Sequence, residues 1–338
     1  MKKNFVAVLA LLLFSLACQT LFPKNTTPPD NNVTAEATQR GTPSPIVCTD
    51  DSCINACLER INNTLETRRF DSIGGDYAGA EANFDLVKYQ VENGAISDPE
   101  ILYVPKEFKP FQDDLQAQQT VWKYASSLLT ENELKWITEY VVFTDGESNT
   151  LAWVNNKDDL DLSRWQLGVD IIDAADPVDL TATLIHEFGH LITLNSEQFT
   201  PTDYYYGWNQ NNSACPQFTS PEGCSTPDSY INLFYQNFWI DIFDEWLETV
   251  ENPQVDTDEE FDALRRAFYS KHSEQFVREY AATNIREDMA ESFMHFVLTP
   301  QPNGNNPVEQ KMLFFYQFEE LTTLRRQIIQ NVCSYTQE

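Results

Sequence analysis

A chain of 338 residues with 52 acidic against 22 basic side chains, net charge -30, can bury a sizeable core and form one large domain or two modest ones. That charge argues against nucleic acid as a partner and against docking on an anionic membrane through a basic patch. It would attract cationic peptides, although a solvated acidic surface that resists aggregation is the simpler reading.

The first element is MKK followed by the apolar run FVAVLALLLFSLA and Cys18. The run is too short for a comfortable transmembrane helix and has the length of a signal-peptide core. Ala17 directly before Cys18 resembles a bacterial lipoprotein signal, which implies cleavage before Cys18 and a lipid anchor on its thiol. Ser15 stands where that signal usually carries leucine, so ordinary secretion is the alternative. Residues 1–18 therefore read as an export signal, and the protein as exported, tethered to the bacterial cell membrane if lipidated. Residues 19–47, rich in Pro, Thr and Asn, read as a flexible tether.

Beyond Cys18 the cysteines are Cys48, Cys53, Cys57, Cys215, Cys224 and Cys333. An even number in an exported chain predicts up to three disulfides. Cys215 and Cys224 flank a Pro/Gly/Ser-rich loop and should pair; the remaining four should tie the N-terminal segment to the extreme C-terminus. No CxxC spacing favours a zinc–thiolate site instead.

Folded structure is expected over 48–338, with 48–140 either part of one domain or a small unit of its own. Ser52–Leu65 reads as a short helix. NFDLVKYQVENG reads as a strand ending at an Asn-Gly turn, and EILYVP as a second strand. DDLQAQQTVWKYASSLL is helical, and TENELKWITEY is a short helix with Thr130 and Glu133 as its capping box. YVVFTDG and RWQLGVDIID are two further strands. Asp176 as cap, Pro177 in the first turn and Asp179 behind it then start a helix from Pro177 to about Leu194. Residues 196–229 form a polar loop. YINLFYQNFWIDIFDEWLETV, DEEFDALRRAFYSKH, NIREDMAESFMHFVL and EQKMLFFYQFEELTTLRRQIIQNV are helical in pattern, with Phe234, Phe238, Phe243 and Trp246 as a core stripe.

Two of the four histidines fall in HEFGH, on the helix starting at Pro177. Residues four apart lie on one helical face, so His186 and His190 can offer nitrogens to one metal, with Glu187 beside them. Two structural histidines on a core helix are the bland alternative. A metal explains better why ionisable groups sit in an otherwise apolar helix, since an unpartnered buried charge is so costly. HExxH leaves such a site one protein ligand short. Downstream, Tyr280, Glu287 and Glu291 follow at intervals of seven and four, and the two glutamates share a helical face where a cation would relieve their repulsion. Glu287, Glu291 and His295 are the candidates for third ligand. Ser196 occupies the place where a metzincin-like scheme needs a third histidine, which rules that scheme out. His272 lies in a charged helix end and reads as exposed.

HEFGH followed by Y-x6-E-x3-E resembles the gluzincin metallopeptidases, and in particular the branch with anthrax lethal factor-like catalytic domains. The YAATN-x-x-ED-x-AE segment is similar to that of uncharacterised exported bacterial proteins identified as zinc metallopeptidases. The resemblance covers roughly residues 165–195 and 275–298 and says nothing of 48–140; the long insertion between the motifs departs from compact gluzincins. It implies one zinc ion held by His186, His190 and Glu287, with Glu187 as general base. It further implies that Tyr280 donates to the oxyanion and that Glu291 orients a metal-bound histidine from behind.

The expected architecture is α+β and zincin-like: mixed α/β structure before the active-site helix, a helical lobe after it and a cleft between, which YVVFTDG could line as a partner strand for a peptide or protein substrate. The expected activity is zinc-dependent peptide-bond hydrolysis. Two other classes fit the same motif, a surface lipoprotein that binds zinc or a protein partner without catalysis, and a hydrolase of a non-protein amide such as cell-wall peptide.

Overall fold

The computed structural model describes residues 51–67, 83–146, 150–158, 161–200, 207–208, 215–255 and 257–335. The export signal with Cys18, the tether and Cys48 lie outside the described residues. The architecture is α+β, a five-stranded sheet followed by a largely helical second half with a small three-stranded sheet.

Helix α1 (Asp51–Thr67) extends the expected one by a residue or two at each end. Strands β1 (Phe84–Glu92) and β2 (Ala95–Ile101) form a hairpin across Asn93 and Gly94. Those two residues have φ of 51° and 75°, the left-handed pair that a two-residue type I′ turn requires. The expected strand at EILYVP is corrected here, because the tight turn fixes the register and pairing starts at once, with Glu92 opposite Ala95. Pro99 is tolerated because β2 lies at the sheet edge.

Helices α2 (Lys109–Asp113), α3 (Leu115–Ser127) and α4 (Glu131–Leu134) follow. Asp114 caps α3, and the Thr130–Glu133 capping box forms as read. The helical reading of TENELKWITEY extended too far, because β3 (Ile137–Thr144) starts inside it. Seven of the eight residues of β3 are buried between β1 and β5, and that burial overrides local propensity. Strands β4 (Ala152–Asn156) and β5 (Trp165–Asp170) complete a sheet of order β2-β1-β3-β5-β4. Only β3 and β5 run parallel; β4 is antiparallel to β5 and forms the other edge. Over β3 the stretch YVVFTDG is thus paired on both sides and offers a peptide no free edge, whereas β4 lies at the sheet edge. Gly168 is required at its place, since a Cβ there would stand 2.1 Å from the Trp153 indole.

Helix α5 (Pro177–Leu194) has the predicted bounds. Asp176 accepts from the N–H groups of Val178 and Asp179, and every residue from Asp179 to Leu194 is buried. A helix buried on all sides is a central one, and α5 packs against both β4 and α9. Within the segment read as a loop, β6 (Phe199–Thr200), β7 (Thr219–Ser220) and β8 (Gly223–Ser225) form the small sheet, closed by the predicted Cys215–Cys224 disulfide.

The helix expected over 230–250 is interrupted twice. Helices α6 (Tyr230–Phe234) and α7 (Phe243–Trp246) alternate with π-turns at Tyr235–Trp239 and Leu247–Glu251. From this stretch the Trp239 indole donates to Asp288 Oδ2 at 2.7 Å and the Trp246 indole to the Thr283 carbonyl at 2.9 Å. The aromatic stripe is core, as read: Phe234, Phe243 and Trp246 are buried and Phe238 half-buried. Helices α8 (Asp258–His272), α9 (Ile285–Leu298), α10 (Pro307–Phe315) and α11 (Glu319–Tyr335) follow, the last two broken at Tyr316–Phe318 where one helical run was expected. His272 is half-buried against Phe268 and paired with Glu245, not simply exposed. A disulfide joins Cys57 in α1 to Cys333 in α11, the expected tie of the N-terminal segment to the C-terminus, and Cys53 is also disulfide-bonded.

Candidate metal centre

His186 and His190 stand one turn apart on α5, on the side facing α9. Glu287 is in the first turn of α9, whose cap Asn284 accepts from the N–H groups of Arg286 and Glu287. Across the two helices the donors converge. The Nε2 atoms of His186 and His190 are 3.1 Å apart, and Glu287 Oε2 lies 3.2 Å from the first and 3.3 Å from the second.

Behind His186, Nδ1 lies 2.8 Å from Oε1 of Glu291, a residue with no solvent exposure. A carboxylate there places the imidazole proton on Nδ1, so the lone pair of Nε2 faces the Glu287 carboxylate and the second imidazole. Three electron-rich atoms facing one another repel unless a cation sits among them. Four-coordinate zinc with bonds of about 2.0–2.2 Å sets neighbouring ligand atoms roughly 3.3–3.6 Å apart, close to the spacing here. Nitrogen, nitrogen and carboxylate oxygen form a donor set that suits zinc. The residues present fit the ion.

Glu187 is buried beside this cluster, and its Oε2 accepts the main-chain N–H of Val154 in β4 at 3.0 Å. Burial pushes its carboxyl up to about 7, opposed by His186 and His190 and reinforced by Glu287. Glu287 goes the other way: burial would raise it, but the two imidazoles hold it far below the usual carboxylate range. Glu291 is likewise held down to about 2 against its burial, first by the charge of Arg278 and then by His186. Two carboxyls four residues apart on α9 thus favour the ionised form, while the one on α5 is poised to exchange a proton near neutrality.

Tyr280 is buried in the 3₁₀ turn Glu279–Thr283, with its ring centre 5.9 Å from that of His186. All six residues singled out by the sequence therefore meet at one place. Of the alternatives for third ligand, Glu291 turns to His186 Nδ1, and His295, one turn further along α9, is not among the converging donors. Among the described residues one other set of donors lies as close together, Asp145, Asp170 and Asp173 at the ends of β3 and β5.

Two contributors escaped the sequence reading. The Val154 N–H belongs to a strand that had no pattern to announce it. Arg278, whose Nε and Nη2 both donate to Glu291, could have been found by asking which cation accompanies a buried carboxylate. No family model, no curated protein and no solved structure matches the chain, so the functional reading rests on this geometry.

Proposed function

We propose that the chain is a zinc-dependent endopeptidase on a zincin-like plan, of the gluzincin type, with His186, His190 and Glu287 as the metal ligands. The observation that carries the reading is the convergence of those three donors within 3.3 Å, with the Glu187 carboxyl buried beside them rather than among them. A purely structural metal site has no use for such a carboxyl.

His186, His190 and Glu287 would hold the zinc ion, which would supply Lewis acidity there. Glu187, oriented by the Val154 N–H, takes a proton from the attacking water and passes it to the departing amine. The Tyr280 hydroxyl donates to the oxygen that gains negative charge. Glu291 fixes the His186 ring through Nδ1. Strand β4, at the sheet edge next to α5, offers main-chain groups against which an extended peptide or protein substrate pairs. The disulfides Cys57–Cys333 and Cys215–Cys224 support an exported protein, anchored at Cys18 if that residue is lipidated.

The test measures zinc per chain for a soluble form lacking residues 1–18, beside Glu287→Ala, and then offers the loaded protein an unfolded protein, basic peptides and peptidoglycan fragments. About one zinc in the parent, little in the variant and cleavage of peptides is the expected result. Hydrolysis confined to the wall fragments would move the substrate class, and bound zinc with no turnover of anything would leave a binding protein.

A further inference from the structure

Arg278 is 8% exposed and lies two residues before Tyr280, on the segment that leads into the 3₁₀ turn. Its Nε donates to Glu291 Oε2 and its Nη2 to Glu291 Oε1. That same Oε1 is the atom 2.8 Å from His186 Nδ1. The guanidinium carbon also stands 5.8 Å from the centre of the Tyr280 ring. One side chain therefore connects the turn carrying Tyr280, the carboxylate on α9 and the imidazole on α5.

A two-point guanidinium–carboxylate contact fixes the plane of the carboxylate as well as its position. A carboxylate held at one point swings about that contact, and the imidazole hydrogen-bonded to it swings as well. Arg278 has no need to touch substrate or metal for this to matter, since ring orientation sets where the Nε2 lone pair of His186 points.

We propose that Arg278 is the positioning residue of the centre, setting the orientation of His186 through Glu291 and holding the Tyr280 turn to the same frame. The inference rests on the zinc reading above. It differs from simple charge neutralisation, which any buried cation would achieve. Lysine delivers a single donor and leaves the Glu291 plane free, so Arg278→Lys separates the two roles.

The experiment compares the parent with Arg278→Lys and Arg278→Gln, each shown by circular dichroism to be folded at the working temperature. Affinity for zinc is read by competition with a chromogenic chelator, and ligand geometry by the visible spectrum of the cobalt-substituted protein. Arg278→Gln should lose roughly 10-fold to 100-fold in zinc affinity, the scale of lost partners behind a metal ligand. Arg278→Lys should recover part of that loss while its cobalt bands stay shifted. Parent-like affinity and cobalt spectrum in Arg278→Lys would overturn the inference, whether or not Arg278→Gln folds. A parent that binds no zinc would instead overturn the zinc reading itself, so the two failures are distinguishable.

Discussion

Gly189 and Ala290 bring α5 and α9 into backbone contact: a Cβ on Gly189 would lie 3.0 Å from the Ala290 Cα and 3.3 Å from its Cβ. The glycine of HEFGH is thus what lets the helix carrying Glu287 approach the helix carrying the two histidines. Gly189→Ala should push the helices apart by a few tenths of an ångström, at a cost of about 1–3 kcal/mol, the usual range for overpacking. Because the donors are spaced for one ion, zinc affinity should fall as well. Urea denaturation of the metal-free protein and chelator competition measure the two effects separately, and unchanged zinc affinity would show that the close approach does not govern the centre.

The proposed division of labour predicts opposite outcomes for zinc and for turnover. Glu187→Gln should retain about one zinc per chain while losing about 10²-fold to 10⁴-fold in kcat, the range for a general base. Tyr280→Phe should keep zinc and lose about 10-fold to 1,000-fold, the scale of one oxyanion donor. Elemental analysis and initial rates on the best peptide decide, and a fully active Glu187→Gln protein would refute the mechanism.

The second half of the chain holds a second buried ion pair, whose carboxylate follows Glu287 directly on α9. Lys311 Nζ donates to Asp288 Oδ2 at 2.5 Å, both side chains have no exposure, and the ammonium lies 4.5 Å from the Phe276 ring centre. Burial raises the Asp288 carboxyl and lowers the Lys311 ammonium, each opposed by the partner. Removing one partner strands the other charge, so Lys311→Met should destabilise by about 3–5 kcal/mol. The double variant Lys311→Met with Asp288→Asn, which keeps an acceptor for the Trp239 indole, should recover much of that loss. Chemical denaturation of the four proteins gives the coupling directly, and additive losses would mean that the two charges do not depend on each other.

Asp170 should give stability a pH dependence of unusual sign. Burial pushes its carboxyl up to about 7, opposed by the N–H groups of Asp145 and Ile172 and reinforced by Asp173. The folded state therefore holds a proton that the unfolded state has lost, so this contribution is fully present below about pH 4 and disappears as pH rises to about 7. Its size is on the order of 4 kcal/mol. Asp170→Asn loses one acceptor at every pH but cannot ionise, so the parent should lose stability relative to it across that interval. Urea midpoints at pH 4, 5.5 and 7 measure the difference, and a constant one would rule the effect out.

The centre was legible in the sequence because its parts are local. His186, Glu187 and His190 share one capped helix and Glu287 and Glu291 another, and helical spacing alone puts His186 with His190, and Glu287 with Glu291, on one face. What joins the two helices is long-range, and there the sequence is silent. Gly189 meets Ala290 only because α5 packs on α9, and no local pattern announces that pairing. Arg278 carries no local signal of its own, and its burial against Glu291 of α9 is a tertiary contact. Strand β4 has five residues, two of them asparagine, and forms because β5 offers it a partner. Strand β2 is fixed by the turn before it rather than by its own polar side chains, which is why its start was misplaced.

The Cys57–Cys333 bond gives the domain the covalent topology of a ring, spanning 276 residues of sequence. A single nick anywhere between those two cysteines opens the ring without releasing a fragment. If the chain is the peptidase proposed above, one cut made by itself or by a neighbour would leave its halves covalently joined. After one such cut α5 and α9 would remain in one molecule, and parting them would require a second cut or reduction of the disulfide.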